Sequence, residues 1–263
     1  MTLRVVPLGT NGYIPALGRH TASYLLLAPQ QAILLDAGTG VARLLEQPLI
    51  DLLAPYDCLN VILSHYHLDH IVGLSYLAGT WTRGTLHIYA PGRPLVDADP
   101  DDALDRLLSP PLFPQRLAEF PAATEVIPLT TLSLTIGGLE IALRVQTHPG
   151  GSLGMRIGDS LAYVTDTIVD DATADFVRGV RLLLHEVWLT DAEAHLDEPE
   201  RGRHSYVSGV AQIAQRAVVG ELMPIHHKPT RSREEIAAMA RELHALAGVS
   251  VTVAQEGRVY PLA

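Results

Sequence analysis

Short apolar runs broken by turn formers fill the first two-thirds of the chain. Arg4 to Leu8, Ser23 to Leu27, Ala32 to Leu35 and Asn60 to Leu63 read as strands, and Val41 to Leu53, between the third and fourth, carries helix-like apolar spacing. A second set of strands is predicted at Leu86 to Tyr89, Leu132 to Ile136, Leu139 to Thr147, Leu153 to Ile157, Leu161 to Thr165 and Arg181 to Leu184. Helices are clearer later. Tyr206 to Val219 sets Val207, Val210, Ala211, Ala214 and Val218 on one stripe, with Gly220 as its stop before strand-like Glu221 to Ile225. Ser232 and Glu235 form a capping box ahead of Ile236, Met239, Ala240, Leu243 and Leu246, and Gly248 ends that helix. Val249 to Ala254 and Arg258 to Leu262, joined through Glu256-Gly257, are predicted as a closing pair of strands.

No fixed-period repeat, low-complexity tract or linker divides the sequence, so residues 1–263 read as one domain. The stretch from Pro91 to Pro121 holds seven prolines around a helix-like Asp101 to Leu108. It is expected to loop over one rim of a sheet, and a functional lid is the sharper reading.

Composition narrows the class. With 48% hydrophobic and 18% charged residues the chain can bury a large core, which excludes disorder, and the lone Cys58 excludes a disulfide scaffold. The start runs directly into a strand-like segment, so no export leader and a reducing cytoplasm are expected. No apolar stretch approaches the roughly 18 residues that cross a bilayer, so no membrane partner is expected. A formal charge of −10, with Lys228 the only lysine, argues against duplex nucleic acid as a partner.

Twelve histidines change the picture, because their positions are not scattered. Ser64-His65-Tyr66-His67-Leu68-Asp69-His70 follows the strand Val61-Ile62-Leu63 and packs four candidate ligands into six residues. Alternate residues of an extended segment share a side, so His65 and His67 can share one metal, while a turn into the helix-like Ile71 to Leu77 lets Asp69 and His70 face a second. Further ligand types stand at the ends of strand-like runs: His148, Asp166 and His226.

His-x-His-x-Asp-His followed in order by His148, Asp166 and His226 resembles the metallo-β-lactamase-fold hydrolases over nearly the whole chain. The resemblance implies an αββα four-layer sandwich, two mixed β-sheets face to face with helices outside, and a dinuclear metal site at one edge. It also implies that His65, His67 and His148 bind the first metal, that Asp69, His70 and His226 bind the second, and that Asp166 bridges them. Leu8-Gly9-Thr10, Gly18 to Leu26 and Leu35-Asp36-Ala37-Gly38-Thr39-Gly40 look like the opening of ribonuclease Z and its relatives. His185-Glu186-Val187-Trp188 and Gly202-Arg203-His204-Ser205 resemble later elements of that branch, with Tyr206 departing from the expected Thr. By this likeness His204, Asp69 and Glu186 make up the catalytic set. Asp69 doubles as a ligand, His204 serves the leaving group or the developing charge, and Glu186 orients it.

Only 18 positions separate His148 from Asp166, which leaves no room for the long arm with which ribonuclease Z grips tRNA. With the negative charge, this argues against tRNA processing. The compact layout resembles the small cyclic phosphodiesterase of the carbon-phosphorus lyase pathway, although one cysteine cannot rebuild that enzyme's additional zinc site. The implied activity is hydrolysis of a small or cyclic phosphodiester by a hydroxide bridging two divalent ions, Zn²⁺ or Mn²⁺. Such ions lower the pKa of water from about 15.7 toward about 7. Small members of the family are often homodimers, and the same is expected here. Two other readings stay open: hydrolysis of an acyl bond, as in lactonase, β-lactamase or thioesterase members, and a non-hydrolytic accessory role in cofactor biosynthesis.

Overall fold

The computed structural model describes residues 3–262, so the opening Met1-Thr2 lies outside the described residues. Six strands come first: β1 (Leu3–Gly9), β2 (Ser23–Ala28), β3 (Gln31–Leu35), β4 (Cys58–Ile62), β5 (Thr85–Pro91) and β6 (Ala123–Leu129). Seven more follow: β7 (Ser133–Ile136), β8 (Leu139–Gln146), β9 (Ser152–Ile157), β10 (Leu161–Val164), β11 (Leu182–Glu186), β12 (Glu221–Ile225) and β13 (Ser250–Val251). The last, β14 (Tyr260–Leu262), returns to the first group. Two seven-stranded sheets result, ordered β14-β1-β2-β3-β4-β5-β6 and β13-β12-β11-β10-β9-β8-β7. Each is mixed, as expected: antiparallel up to β3 in one and β10 in the other, parallel beyond.

Alternation along each strand builds the layers. Val5, Tyr24, Leu26, Ile33 and Ile62 meet Ile141, Met155, Tyr163, Leu184 and Met223 between the sheets. Their neighbours Leu25, Leu27, Leu34 and Val61 face outward, under helices, which is why β2 is buried at every position. That outer face is covered by a 3₁₀ segment (Thr39–Leu45) with α1 (Gln47–Leu53), α2 (Leu68–Ile71), α3 (Leu74–Thr80) and α4 (Pro100–Leu107). The second sheet carries α5 (Asp171–Phe176), then α6 (Asp191–Leu196) and α7 (Glu198–Arg201) in a long connection, and α8 (Val207–Ala217) and α9 (Arg233–Ala247). The four-layer αββα sandwich is therefore the fold.

Several expectations change. The helix-like Val41 to Leu53 is broken at Glu46, which is extended. Continuing the helix would drive the Pro48 ring into the carbonyl four residues back. The closing strands do not pair with each other: Ser250–Val251 joins β12 and Tyr260–Leu262 joins β1, so the turn at Glu256-Gly257 crosses from one sheet to the other. The stretch Pro91 to Pro121 is mainly the crossover between parallel β5 and β6, a strand not foreseen from the sequence. Leu104, Leu108 and Phe120 of that stretch pack into the core under the first sheet.

Candidate metal centre

Most site residues stand where a strand hands over to a loop. β4 leads into His65 and His67, and α2 carries Asp69 and His70; β8 precedes His148, β10 precedes Asp166, Glu186 ends β11, and His226 follows β12. The departures at Asp166 and His226 are sharp, as is that of β3 at Asp36: the three residues hold positive φ (47°, 52° and 56°). A non-glycine residue in that region is uncommon and is held there by its surroundings, which here turn each side chain into the site. Gly12 is required beside it: a Cβ at that position would lie 2.3 Å from the His226 ring.

The predicted ligands converge. His65, His67, His148 and Asp166 form one group whose ligand atoms lie within 4.8 Å of one another, and Asp69, His70 and His226 form another. Asp166 stands between them. Its Oδ1 is 3.4 Å from His148 Nε2 and 4.0 Å from His65 Nε2, while its Oδ2 is 3.0 Å from His70 Nε2 and 3.2 Å from His226 Nε2. Asp69 Oδ2 lies 3.2 Å from His70 Nε2 and also accepts the Tyr13 backbone N–H at 2.7 Å.

These residues fit divalent cations. His65 Nε2 is buried without a hydrogen-bond partner. Ring nitrogens confront each other at 3.2 Å (His67 and His148) and 3.3 Å (His70 and His226), an arrangement that a shared cation makes favourable. Imidazole and carboxylate donors with no thiolate suit zinc or manganese. Burial lowers the pKa of His65, His67 and His148, which favours the neutral, ligating form. His70 moves the other way: burial opposes its charge, but Asp69, Asp166 and Asp36 outweigh burial and raise it. The carboxyls of Asp69 and Asp166 are depressed well below the usual range, because the surrounding histidines outweigh burial.

An outer shell supports this cluster, and part of it was not foreseen. Asp36, fully buried, accepts hydrogen bonds at 2.7 Å from His70 Nδ1, Tyr163 Oη and Ser64 Oγ, and at 2.6 Å from the Ser64 backbone N–H. That carboxylate fixes the orientation of the His70 ring. The sequence places Asp36 in a Gly-rich turn next to an apolar strand, and only that context hinted at a role.

His204 and Glu186, two of the three residues expected to be catalytic, meet. His204 Nδ1 lies 3.1 Å from Glu186 Oε1, which also accepts the Ser205 backbone N–H at 2.7 Å, and the Trp188 ring stacks on His204 at 4.7 Å between centroids. Burial opposes charge on His204, but the Glu186 carboxylate prevails and its pKa is pushed up to about 9. The ring centroid lies 5.6 Å from that of His148 and 5.9 Å from that of His226, at the edge of the cluster.

A sequence-family profile described as a beta-lactamase superfamily domain matches residues 31–227. The chain belongs to the β-lactamase superfamily. Within this superfamily, an uncharacterized protein of Mycobacterium leprae is 30% identical over 261 residues, covering 92% of this chain and 83% of that one. A ribonuclease Z of Nocardia farcinica is 28% identical over 271 residues, covering 84% and 86%. Among solved structures, the metallo-beta-lactamase fold protein YhfI from Bacillus subtilis has a TM-score of 0.77 at 23% identity over 99% of both chains. A diphosphatase from the PhnP family has a TM-score of 0.72 at 17% identity over 98% of this chain and 97% of that one. The superfamily, the sandwich and the His/Asp cluster together identify a metal-dependent hydrolase of the ribonuclease Z-like branch. Among the described residues no helix is long and apolar enough to cross a membrane.

Proposed function

We propose that the chain hydrolyses a small or cyclic phosphodiester in the cytoplasm, with His65, His67, His148, Asp69, His70, His226 and the bridging Asp166 holding two zinc or manganese ions. The observation that carries this reading is the His204 imidazole, held 3.1 Å from the buried Glu186 carboxylate at the edge of the ligand cluster, a contact that raises its pKa. When bound, the ions supply Lewis acidity, acidifying water and neutralising the non-bridging phosphoryl oxygens. Glu186 holds Nδ1 of His204, which leaves Nε2 as the proton-bearing atom to offer a departing alkoxide. Stacking of Trp188 on one face keeps that ring in plane. Asp36 does the corresponding work for His70.

Relatives called ribonuclease Z and a neighbouring diphosphatase support cleavage at phosphorus. The hairpin of β9 and β10 fills the interval between His148 and Asp166, which supports a small substrate over tRNA. Turnover of bis(p-nitrophenyl) phosphate by the Mn²⁺- or Zn²⁺-loaded protein tests the proposal. The expected result is chelator-sensitive hydrolysis that falls about 100-fold or more in His204→Ala, the range for a lost general acid. Absence of turnover with two ions bound, or full turnover by His204→Ala, overturns it in favour of an acyl substrate or an accessory role.

A further inference from the structure

A cavity of about 480 Å³ lies behind the metal centre, across the connection from β1 to β2. Gly12 and Tyr13 of that connection face the ligands His226 and Asp69, whereas Gly18 and Arg19 line the cavity. Its walls carry four guanidiniums, Arg19, Arg43, Arg233 and Arg258, in a chain with only 19 cationic side chains and a net charge of −10. One carboxylate, Glu256, shares the lining, and it is already engaged. It accepts the Thr10 N–H at 3.0 Å, the Thr10 hydroxyl at 3.1 Å and the His20 N–H at 3.0 Å.

The positive charge is therefore left largely uncompensated. Arg43 pairs with Glu46, but Arg19, Arg233 and Arg258 have no ion pair among the described residues. Arg19 spends Nε on Asn11 and Nη2 on the Arg231 carbonyl, while its Nη1 is buried with no acceptor, as is Nε of Arg43. Like charges gathered around a cavity cost stability unless an anion joins them. Ile236 and Val253 add apolar surface to the same lining.

We propose that this cavity is a second binding site, distinct from the metal centre, for a phosphorylated small molecule. The dianionic phosphate sits among Arg19, Arg233 and Arg258, and the organic body lies against Ile236 and Val253. Several planar guanidiniums match the three terminal oxygens of a phosphate monoester better than they match one carboxylate. The volume suits a small molecule and not a polymer.

The probes are phenylphosphonate, a phosphomonoester mimic with no hydrolysable bond, and inorganic phosphate, each titrated calorimetrically into the metal-loaded full chain. Arg233 and Arg258 are exposed, so the Arg233→Gln/Arg258→Gln variant keeps its fold. Phenylphosphonate affinity is expected to fall at least tenfold in that variant, to recover in part with lysine at both positions, and to persist in wild-type protein stripped with chelator. Phenylphosphonate is also expected to bind more tightly than inorganic phosphate. Unchanged affinity in the glutamine variant, or binding that vanishes with the metals, overturns the site. Equal affinities for the two probes overturn the organic body and leave a site for free phosphate. None of these readouts depends on phosphodiester turnover, so failure here is separable from failure of the proposed function.

Discussion

The charge on His204 is set chiefly by one neighbour. Burial alone would lower its pKa from 6.5, and the Glu186 carboxylate reverses the sign and takes it to about 9. A proton donor works below its pKa, so turnover that uses His204 as an acid is expected to hold through neutral pH and fail as pH rises through about 9. Glu186→Gln removes the largest raising charge and leaves burial opposed only by the more distant Asp166 and Glu200. The alkaline limb of the kcat profile should then move to lower pH, with activity retained on the acid side. An unmoved limb would show that His204 is not the donor. The same linkage makes the ion pair a stabilising one: its contribution is complete below about pH 6.5 and is lost as pH climbs through about 9. At this scale the convergent cluster was legible in the sequence, because His65, His67, Asp69 and His70 sit close together and His148, Asp166 and His226 each terminate an apolar run. Asp36 was not legible as a support for the cluster. Its partners Ser64, His70 and Tyr163 stand 28, 34 and 127 positions away, so its role exists only after folding.

Among the elements, continuous apolar runs such as Ser23 to Leu27 announced buried strands, and the Ser232 capping box announced α9, where both reciprocal bonds form. The strand β6 gave no such signal: it is an edge strand, with Glu125 and Pro128 interrupting its apolar positions, which an edge tolerates and a central strand does not. The helix-like Ile71 to Leu77 hid a break, because Gly73 packs directly against the chain at Gly38, where a Cβ would meet that carbonyl oxygen at 2.1 Å. The end of α8 was misplaced for a different reason. Gly220 is the residue expected to stop it, but Val218 takes the left-handed conformation at φ 54°. A β-branched residue is poorly suited to that region. Val218 is also 73% exposed, so Val218→Gly gives up little packing. It is expected to stabilise the protein by about 1 kcal/mol, visible as a higher midpoint in urea denaturation. A lower midpoint would mean that the side chain packs more than its exposure implies.

For the whole molecule, the two sheets present their ligand-bearing strand ends to one edge, so the metal centre depends on how the layers are joined as well as on each layer. One join is the terminal crossing from β13 in one sheet to β14 in the other, and Glu256 in that crossing holds the backbone of Thr10 and His20. Those residues bracket the segment whose Tyr13 N–H binds Asp69. Glu256→Ala strands these donors in a half-buried setting. It should cost about 1–3 kcal/mol in urea denaturation and weaken metal binding in a competitive chelator titration. Unchanged metal affinity would show that the β1–β2 connection holds its shape without the carboxylate. The crossing from β13 to β14 thus acts as a strap over the back of the His/Asp cluster. A protease that clips between Gln255 and Tyr260, or a bulky fusion that pries β14 from its place, is expected to disturb the cluster while every candidate ligand stays intact.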